Sequence, residues 1–240
     1  ESLVERIPPP AGAVRETLAP GSFGAWLRGL PLKPKGAPVL LFDGRAKPRQ
    51  DVHIAVIDID VGTRDLQQCA DAIMRLRAEW LLASGRVGEI AFNFTGGGRV
   101  SFARWADGWR PRAERGGISW SQSAKADATY PSFRRYMDRI FSYAGTASLE
   151  RELKPVAEPS VGDVIIKGGF PGHAVLIVDA AILPSGARRF LLLQSFMPAQ
   201  EMHILTNPSA ADGSPWYDLA RGSAIVTPEW TFPAGALRRF

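Results

Sequence analysis

Three residues in this chain have the types and the order that thiol chemistry requires. Cys69 lies near the start of a predicted helix, and His173 and Gln194 lie on two later predicted strands. Cysteine catalysis needs a thiolate, an imidazole that takes and returns its proton, and a polar group that orients the imidazole. The free amides of a helix N-terminus stabilise an anion. We therefore take Cys69 as the candidate nucleophile, His173 as its base and Gln194 as the orienting residue.

The contact between His173 and Gln194 follows from a predicted β-hairpin. Strands at 173–179 and 188–194 flank a turn at 183–186 that contains Pro and Gly. If the two strands pair end to end across this turn, His173 lies directly opposite Gln194 on the same sheet face. A slip of one residue would move Gln194 to the other face. A Gln carbonyl that accepts from the imidazole N–H would fix the tautomer of the ring.

The elements that position these residues predict an α+β fold, in which an early helix packs on a later antiparallel sheet. Thr63 or Asp65 caps the helix of Cys69, and Gly85 ends it. The periodicity also predicts helices at 22–30 and 130–143, and strands at 39–42, 52–59, 90–94, 164–166, 174–178, 190–193 and 203–205. The stretch 100–130 reads as irregular and as part of the site wall.

Composition excludes several classes of protein. The chain has 240 residues, 45% of them hydrophobic, and a net charge of +5. Its basic residues are dispersed, which argues against a nucleic-acid partner and suits an anionic envelope polymer. No apolar run is long enough for a membrane span. We expect a Pro/Gly-rich extension over 1–50 that packs on the core, and a catalytic domain over 51–240 with an insertion at about 95–160.

The compartment is predicted from the start of the chain and from its single cysteine. The sequence begins at Glu1, and the Pro-rich stretch at 7–10 resembles a linker. We therefore expect that an export signal has been removed and that the protein is periplasmic or otherwise in the cell envelope. A lone thiol in an exported protein invites a functional interpretation.

Two segments carry a resemblance to known hydrolases. Gly162-Asp163 and Gly172-His173 each precede a hydrophobic strand, a pattern similar to that of NlpC/P60 and CHAP peptidoglycan hydrolases of the papain-like superfamily. The resemblance covers roughly residues 60–195 and implies a papain-like fold, amide hydrolysis in peptidoglycan peptides and no cofactor. NlpC/P60 proteins usually have Asp-Cys-Ser at the nucleophile, where this chain has Gln68-Cys69-Ala70. Their third residue is commonly His, Asn or Gln, which allows Gln194.

A second resemblance covers most of the chain. The segments 66–71, 168–174 and 214–217 resemble the DUF4846 family of bacterial proteins, which brings little biochemistry. The backbone amide of Cys69, with the side chain of Gln67 or Gln68, could stabilise an oxyanion. Candidate substrate contacts are Gln68 and three aromatic residues that could stack on sugars or line a peptide groove. These aromatic residues are Trp105, Trp109 and Trp120.

Each of these assignments has an alternative. Cys69 falls on the apolar side of its helix and could be a core residue. His53 and His203 look structural, and the scattered histidines and carboxylates do not have metal-ligand spacing. Two other functions stay open: a non-catalytic envelope-binding module on the same fold, and a cysteine acyltransferase with the same triad.

Overall fold

The computed structural model describes residues 1 to 240 and contains six α-helices. The helices are α1 (Leu3–Arg6), α2 (Phe23–Arg28), α3 (Cys69–Ala83), α4 (Phe102–Ala106), α5 (Tyr130–Tyr143) and α6 (Thr146–Glu152). One turn of 3-10 helix covers Val87–Glu89. The predicted helix at 130–143 is confirmed, and the one predicted at 22–30 forms as the shorter α2.

Fourteen short strands complete the secondary structure. They are β1 (Val14–Arg15), β2 (His53–Val56), β3 (Ala91–Asn93), β4 (Arg99–Ser101), β5 (Trp109–Glu114), β6 (Gly117–Gln122), β7 (Lys154–Pro155), β8 (Val164–Lys167), β9 (His173–Ile182), β10 (Arg188–Gln194), β11 (His203–Leu205), β12 (Ile225–Val226), β13 (Thr231–Phe232) and β14 (Leu237–Arg239). Eight form one antiparallel sheet in the order β2-β11-β10-β9-β8-β14-β7, and β1 pairs with β9 outside this path. The other six form the pairs β3–β4, β5–β6 and β12–β13.

The central sheet is buried on both faces. Along β9, Ala174 and Leu176 belong to the larger apolar cluster, which also contains the buried residues of α3 and α5. Val175 and Ile177 belong to a smaller cluster, together with Phe232 of β13. Since successive side chains of a strand point to opposite faces, the two clusters cover the two sides of the sheet. This burial explains why β9 reads as a nearly continuous apolar run.

Helix α3 begins later than the sequence predicts, and this decides where Cys69 lies. The predicted start at Thr63 or Asp65 is wrong, because the chain turns tightly before the helix and the N–H of Gln68 donates to Leu66 O at 2.8 Å. The same N–H also donates to Asp71 Oδ2 at 3.0 Å, which stabilises the first helical turn. Cys69 is therefore the first residue of the helix.

The predicted hairpin register is wrong, yet the predicted side-chain contact forms. Arg188 pairs with Ile182, so the turn is tighter than expected. That register alone would put Gln194 on the opposite face from His173, because the faces alternate along a strand. A β-bulge in the middle of the hairpin, where β9 has one extra residue, shifts the pairing by one. The shift returns Gln194 to the face of His173, diagonally across from it.

Two other predictions fail in the loop-rich parts of the chain. The stretch 100–130, expected to be irregular, contains α4 and the β5–β6 hairpin, whose two strands meet at a tight turn with Gly116 at φ +78°. The sequence does not reveal this hairpin because its strands are mostly polar. The strand predicted at 39–42 is reduced to isolated bridges from Leu40 to Ala46 and from Leu41 to Gln200.

The first 50 residues pack into the core of the protein. Leu3 and Leu27 are fully buried members of the larger apolar cluster. Strand β1 extends the sheet beside β9. Asp179 of β9, which is fully buried, accepts hydrogen bonds from Arg15 at 2.8 Å and Arg28 at 2.6 Å. These contacts bind the N-terminal segment to the strand that begins at His173.

Candidate functional site

Cys69 is a buried thiol at the N-terminus of α3. It is 7% exposed, and burial raises the pKa of the thiol to about 11, with a further contribution from the charge of Asp71. Backbone N–H groups of Ala70, Ala174 and Cys69 itself oppose this rise. The thiol is therefore neutral at pH 7. The contribution of Ala174 locates it beside the start of β9, whose second residue is Ala174.

His173 is the first residue of β9, and aromatic rings enclose its side chain. The centroids of Phe196, Trp230 and Phe232 lie 4.8, 5.5 and 5.7 Å from that of the imidazole. Burial lowers the pKa of His173 to about 4, although the hydrogen bond with Gln194 opposes this change. The imidazole is thus neutral at pH 7 and has a lone pair that can accept a proton.

Gln194 ends β10 and is fully buried. Its Oε1 atom lies 3.0 Å from Nε2 of His173, so the contact predicted from the sequence is present. The contact occupies Nε2 and leaves Nδ1 as the ring nitrogen available for proton transfer. The role of the pair in catalysis stays a prediction.

Cys69 and His173 reach the start of β9 from different sides. The imidazole is on the sheet face of the smaller apolar cluster, where it stacks on Phe232, whereas α3 packs on the opposite face. The ring is hydrogen-bonded to Gln194 and not to the sulfur of Cys69. The structure therefore brings the two groups to the same end of β9 without joining them.

The site is closed in this structure. A cleft of about 460 Å³ is lined by residues that include Arg189, Trp216 and Tyr217, and another of about 320 Å³ is lined by residues that include Arg77. Neither cleft contains Cys69 or His173. Cys69 is 7% and His173 1% exposed, so both groups are almost fully screened from solvent.

Three polar residues of the site were not found from the sequence. Glu229 accepts a hydrogen bond from Gln194 Nε2 at 2.7 Å and another from Lys47 at 2.8 Å. His203, interpreted from the sequence as structural, has its Nε2 atom 3.2 Å from the same Gln194 nitrogen. The pairing of β10 with β11, which sets Gln194 directly beside His203, would have found His203. Glu229 and Lys47 lie in irregular segments far apart in the chain, where no periodic pattern marks them.

The four predicted substrate contacts lie in three different environments. Trp105 is in the core, where its indole N–H donates to Ser132 Oγ at 3.2 Å. Trp109 and Trp120 stack on the guanidinium of Arg104, at 4.7 and 4.6 Å from their ring centroids. Neither ring is hydrogen-bonded or stacked to Cys69, His173 or Gln194. Gln68 lies next to the thiol, but its side-chain N–H donates to an exposed carboxylate, that of Asp65, at 3.0 Å.

The backbone at the start of α3 supplies the other polar groups near the thiol. The N–H of Cys69, at the first helical position, is free of the intrahelical ladder and faces the end of the helix where an anion is stabilised. The amide nitrogen of the Gln67 side chain is buried and has no hydrogen-bond partner, whereas the oxygen of that side chain accepts from Arg75 at 2.8 Å.

Two broader features of the chain bear on its class. No group of three or more His, Cys, Asp or Glu side chains is clustered closely enough to hold a metal ion. No helix combines the length and the apolar character needed to cross a membrane.

The fold and the site together define an α+β protein with an antiparallel sheet, a thiol at a helix N-terminus and a buried His–Gln pair. Residues 3–239 match DUF4846, described as a domain of unknown function, and the chain belongs to this family. No curated protein and no solved structure matches it.

Proposed function

We propose that this protein is a cysteine-dependent hydrolase that cleaves amide bonds in peptidoglycan peptides within the bacterial cell envelope. The observation that carries the proposal is the 3.0 Å contact between His173 and Gln194. This contact lies at the start of β9, and Cys69 lies near the same point at the N-terminus of α3. A helix-borne Cys, a strand-borne His and a polar residue on the next antiparallel strand follow the order of the papain-like superfamily. We extend the proposal to a papain-like fold for residues 51–240.

In the proposed reaction, the sulfur of Cys69 bonds to the amide carbonyl carbon while its proton moves to Nδ1 of His173. The backbone N–H of Cys69 stabilises the oxyanion. The C–N bond then breaks, and His173 gives the proton to the leaving amine. Water attacks the thioester carbon, His173 takes a proton from this water, and the proton returns to the sulfur as the C–S bond breaks. Gln194 orients the imidazole throughout.

The electrostatics of the site favour proton transfer during the attack over a preformed ion pair. With the pKa of the thiol at about 11 and that of the imidazole at about 4, both groups are neutral in the free protein. Entry of substrate must therefore bring the thiol and Nδ1 together, because the structure has no hydrogen bond between them. A general base that takes the proton of the thiol only once a substrate is bound fits this arrangement.

The test is turnover of purified peptidoglycan fragments, followed by mass spectrometry of the products. The wild-type protein is expected to add water across an amide bond, and Cys69→Ala and Cys69→Ser are expected to lose this activity. His173→Asn should lose it as well, while His53→Asn is the matched control because His53 lies outside the pair. Full turnover by either Cys69 variant would exclude the thiol as nucleophile. A product carrying an amine or lipid acceptor in place of water would instead define an acyltransferase.

A second candidate function is a non-catalytic envelope-binding module on the same fold. The burial and raised pKa of the thiol favour it, and so does the stack of Trp109 and Trp120 around Arg104, which offers aromatic surface to a wall polymer. Co-sedimentation with purified cell walls separates the two candidates. The module predicts binding without cleavage, weakened by Trp120→Ala and unchanged by Cys69→Ser.

A further inference from the structure

The side-chain amide of Gln194 is held at all of its polar atoms. Its Oε1 faces Nε2 of His173 at 3.0 Å, and its Nε2 lies 2.7 Å from a carboxylate oxygen of Glu229 and 3.2 Å from Nε2 of His203. Gln194, His173 and His203 are all nearly or fully buried. Water therefore has little access to these contacts, and the direction of each hydrogen bond constrains the direction of the others.

The direction of each hydrogen bond follows from groups that have only one role. The Glu229 carboxylate can only accept, and Lys47 holds its other oxygen at 2.8 Å. The Nδ1 atom of His203 lies 2.9 Å from the backbone carbonyl oxygen of Glu201, which also can only accept. Nδ1 of His203 therefore carries the proton, and its Nε2 presents a lone pair to Gln194.

We propose that Glu229 and His203 are positioning residues that lock the orientation of the Gln194 amide and thereby set the tautomer of His173. Both N–H groups of the amide point to acceptors, so its oxygen must face His173. The imidazole of His173 then carries its proton on Nε2 and keeps Nδ1 as a lone pair. A flipped amide would direct its oxygen at a carboxylate and at another lone pair, and would lose both hydrogen bonds.

The tautomer of His173 matters for chemistry because, with Nε2 bonded to Gln194, only an unprotonated Nδ1 can take the proton of a thiol. That consequence rests on the proposed function, whereas the tautomers themselves do not. The lock also gives a role to two distant segments, since Lys47 precedes the first strand of the central path and Glu229 follows β12. Burial keeps His203 neutral and lowers its pKa to about 3, which preserves its acceptor nitrogen over the whole range in which the protein would work.

The test is long-range ¹H–¹⁵N correlation spectroscopy of the histidine rings in the ¹⁵N-labelled full chain at pH 7. The protein has three histidines, and His53→Phe, which removes a ring that touches His203 but makes no hydrogen bond to Gln194, identifies one of them and is the matched control. We expect opposite tautomers at the two buried residues, Nε2–H at His173 and Nδ1–H at His203. His173→Asn identifies the ring of His173 in the wild-type spectrum, and Nδ1–H at that ring would overturn the proposal.

The variants His203→Phe and Glu229→Gln each remove one acceptor. In Glu229→Gln a single oxygen remains for both Lys47 and Gln194, and a donor faces the amide. The Nδ1–H form of His173 is expected to rise from undetected toward about one half, the value reached if the two amide orientations become equal in energy. Unchanged Nε2–H in both folded variants would refute the lock. If either variant fails to fold, the opposite tautomers of the wild-type protein still decide the question.

The two proposals fail separately. Cys69→Ala should leave the histidine tautomers unchanged, so loss of the expected tautomers refutes the lock whatever the activity. Tautomers as expected, with full turnover by Cys69→Ala, would keep the lock and refute the nucleophile.

Discussion

Asp71 makes the stability of this protein depend on pH in a direction unusual for a carboxyl group. It lies in the first turn of α3, two residues after Cys69, and is 6% exposed. Its Oδ2 accepts the N–H of Gln68, while Oδ1 is buried without any hydrogen-bond partner. Burial accordingly raises the pKa of Asp71 from 3.8 to about 8, although the hydrogen bond from Gln68 opposes the rise.

The sign of the effect follows from proton binding. Between pH 3.8 and about 8 the folded protein keeps a proton that the unfolded chain has released, so stability falls as the pH rises. The contribution is fully present below the unfolded pKa and is lost as the pH rises through the folded pKa. Since each unit of difference in pKa corresponds to about 1.4 kcal/mol, Asp71 lowers the free energy of unfolding by about 3.5 kcal/mol between pH 5 and pH 8.

The substitution Asp71→Asn removes this titration and keeps an oxygen for the N–H of Gln68. Urea unfolding at pH 5, 6, 7 and 8, followed by tryptophan fluorescence, measures the free energy of unfolding of both proteins. His173 and His203, whose pKa values burial lowers to about 4 and about 3, add stability as the pH rises in both proteins. We therefore expect the difference, variant minus wild type, in the free energy of unfolding to grow by about 3.5 kcal/mol from pH 5 to pH 8. Asp51→Asn, which alters a carboxylate with 67% of its side chain exposed, is the control and should follow the wild-type curve.

Parallel curves for the wild-type protein and Asp71→Asn from pH 5 to pH 8 would refute the reasoning. They would mean that Asp71 is already ionised in the folded protein at pH 5, and hence that Oδ1 is solvated.

Three further outcomes are expected. Iodoacetamide should modify Cys69 at pH 7 about 100-fold more slowly in the folded than in the unfolded protein, because a pKa raised from 9.0 to about 11 lowers the thiolate fraction by that factor; equal rates would contradict it. Asp179→Asn should cost about 3–5 kcal/mol in urea unfolding, because it leaves two partly buried arginines uncompensated, whereas Asp51→Asn, at an exposed carboxylate, should have a much smaller effect. Gly172→Ala should destabilise the protein by about 1–3 kcal/mol, since its Cβ would lie 2.7 and 2.8 Å from two backbone carbonyl oxygens. Gly96→Ala, which meets no atom within 4 Å, should cost less than half as much in the same assay.

The parts of the fold that were predictable have a strong local period. Helix α5 was predicted with its observed bounds because its apolar residues recur on one face. The contact of His173 with Gln194 was predicted for a partly wrong reason. The turn is tighter than its sequence suggests, and only the bulge in β9 restores the face that the predicted register required. Sequence patterns specify which residues alternate, but they do not reveal a single extra residue in a buried strand.

The missing parts of the site depend on tertiary contacts. Glu229 and Lys47 read as ordinary polar residues of Pro-containing loops, and their spacing carries no signal. The predicted start of α3 is wrong because Thr63 and Asp65 are good capping residues, whereas in the structure the N-cap is Gln68, a weaker cap that Asp71 supports. The error matters, since it moved Cys69 from within the helix to its first residue.

Burial has opposite consequences for the two halves of the proposed mechanism. It makes both Cys69 and His173 neutral, so the free protein has no activated thiolate and its thiol reacts slowly with alkylating reagents. It also removes water from around Gln194, so the orientation of a single amide can decide which nitrogen of His173 carries the proton. A site of this kind would depend less on a preformed thiolate–imidazolium pair than on an unprotonated Nδ1 of His173. The controlling event is then the approach of the thiol to that nitrogen around the start of β9, which is the step that a bound substrate must bring about.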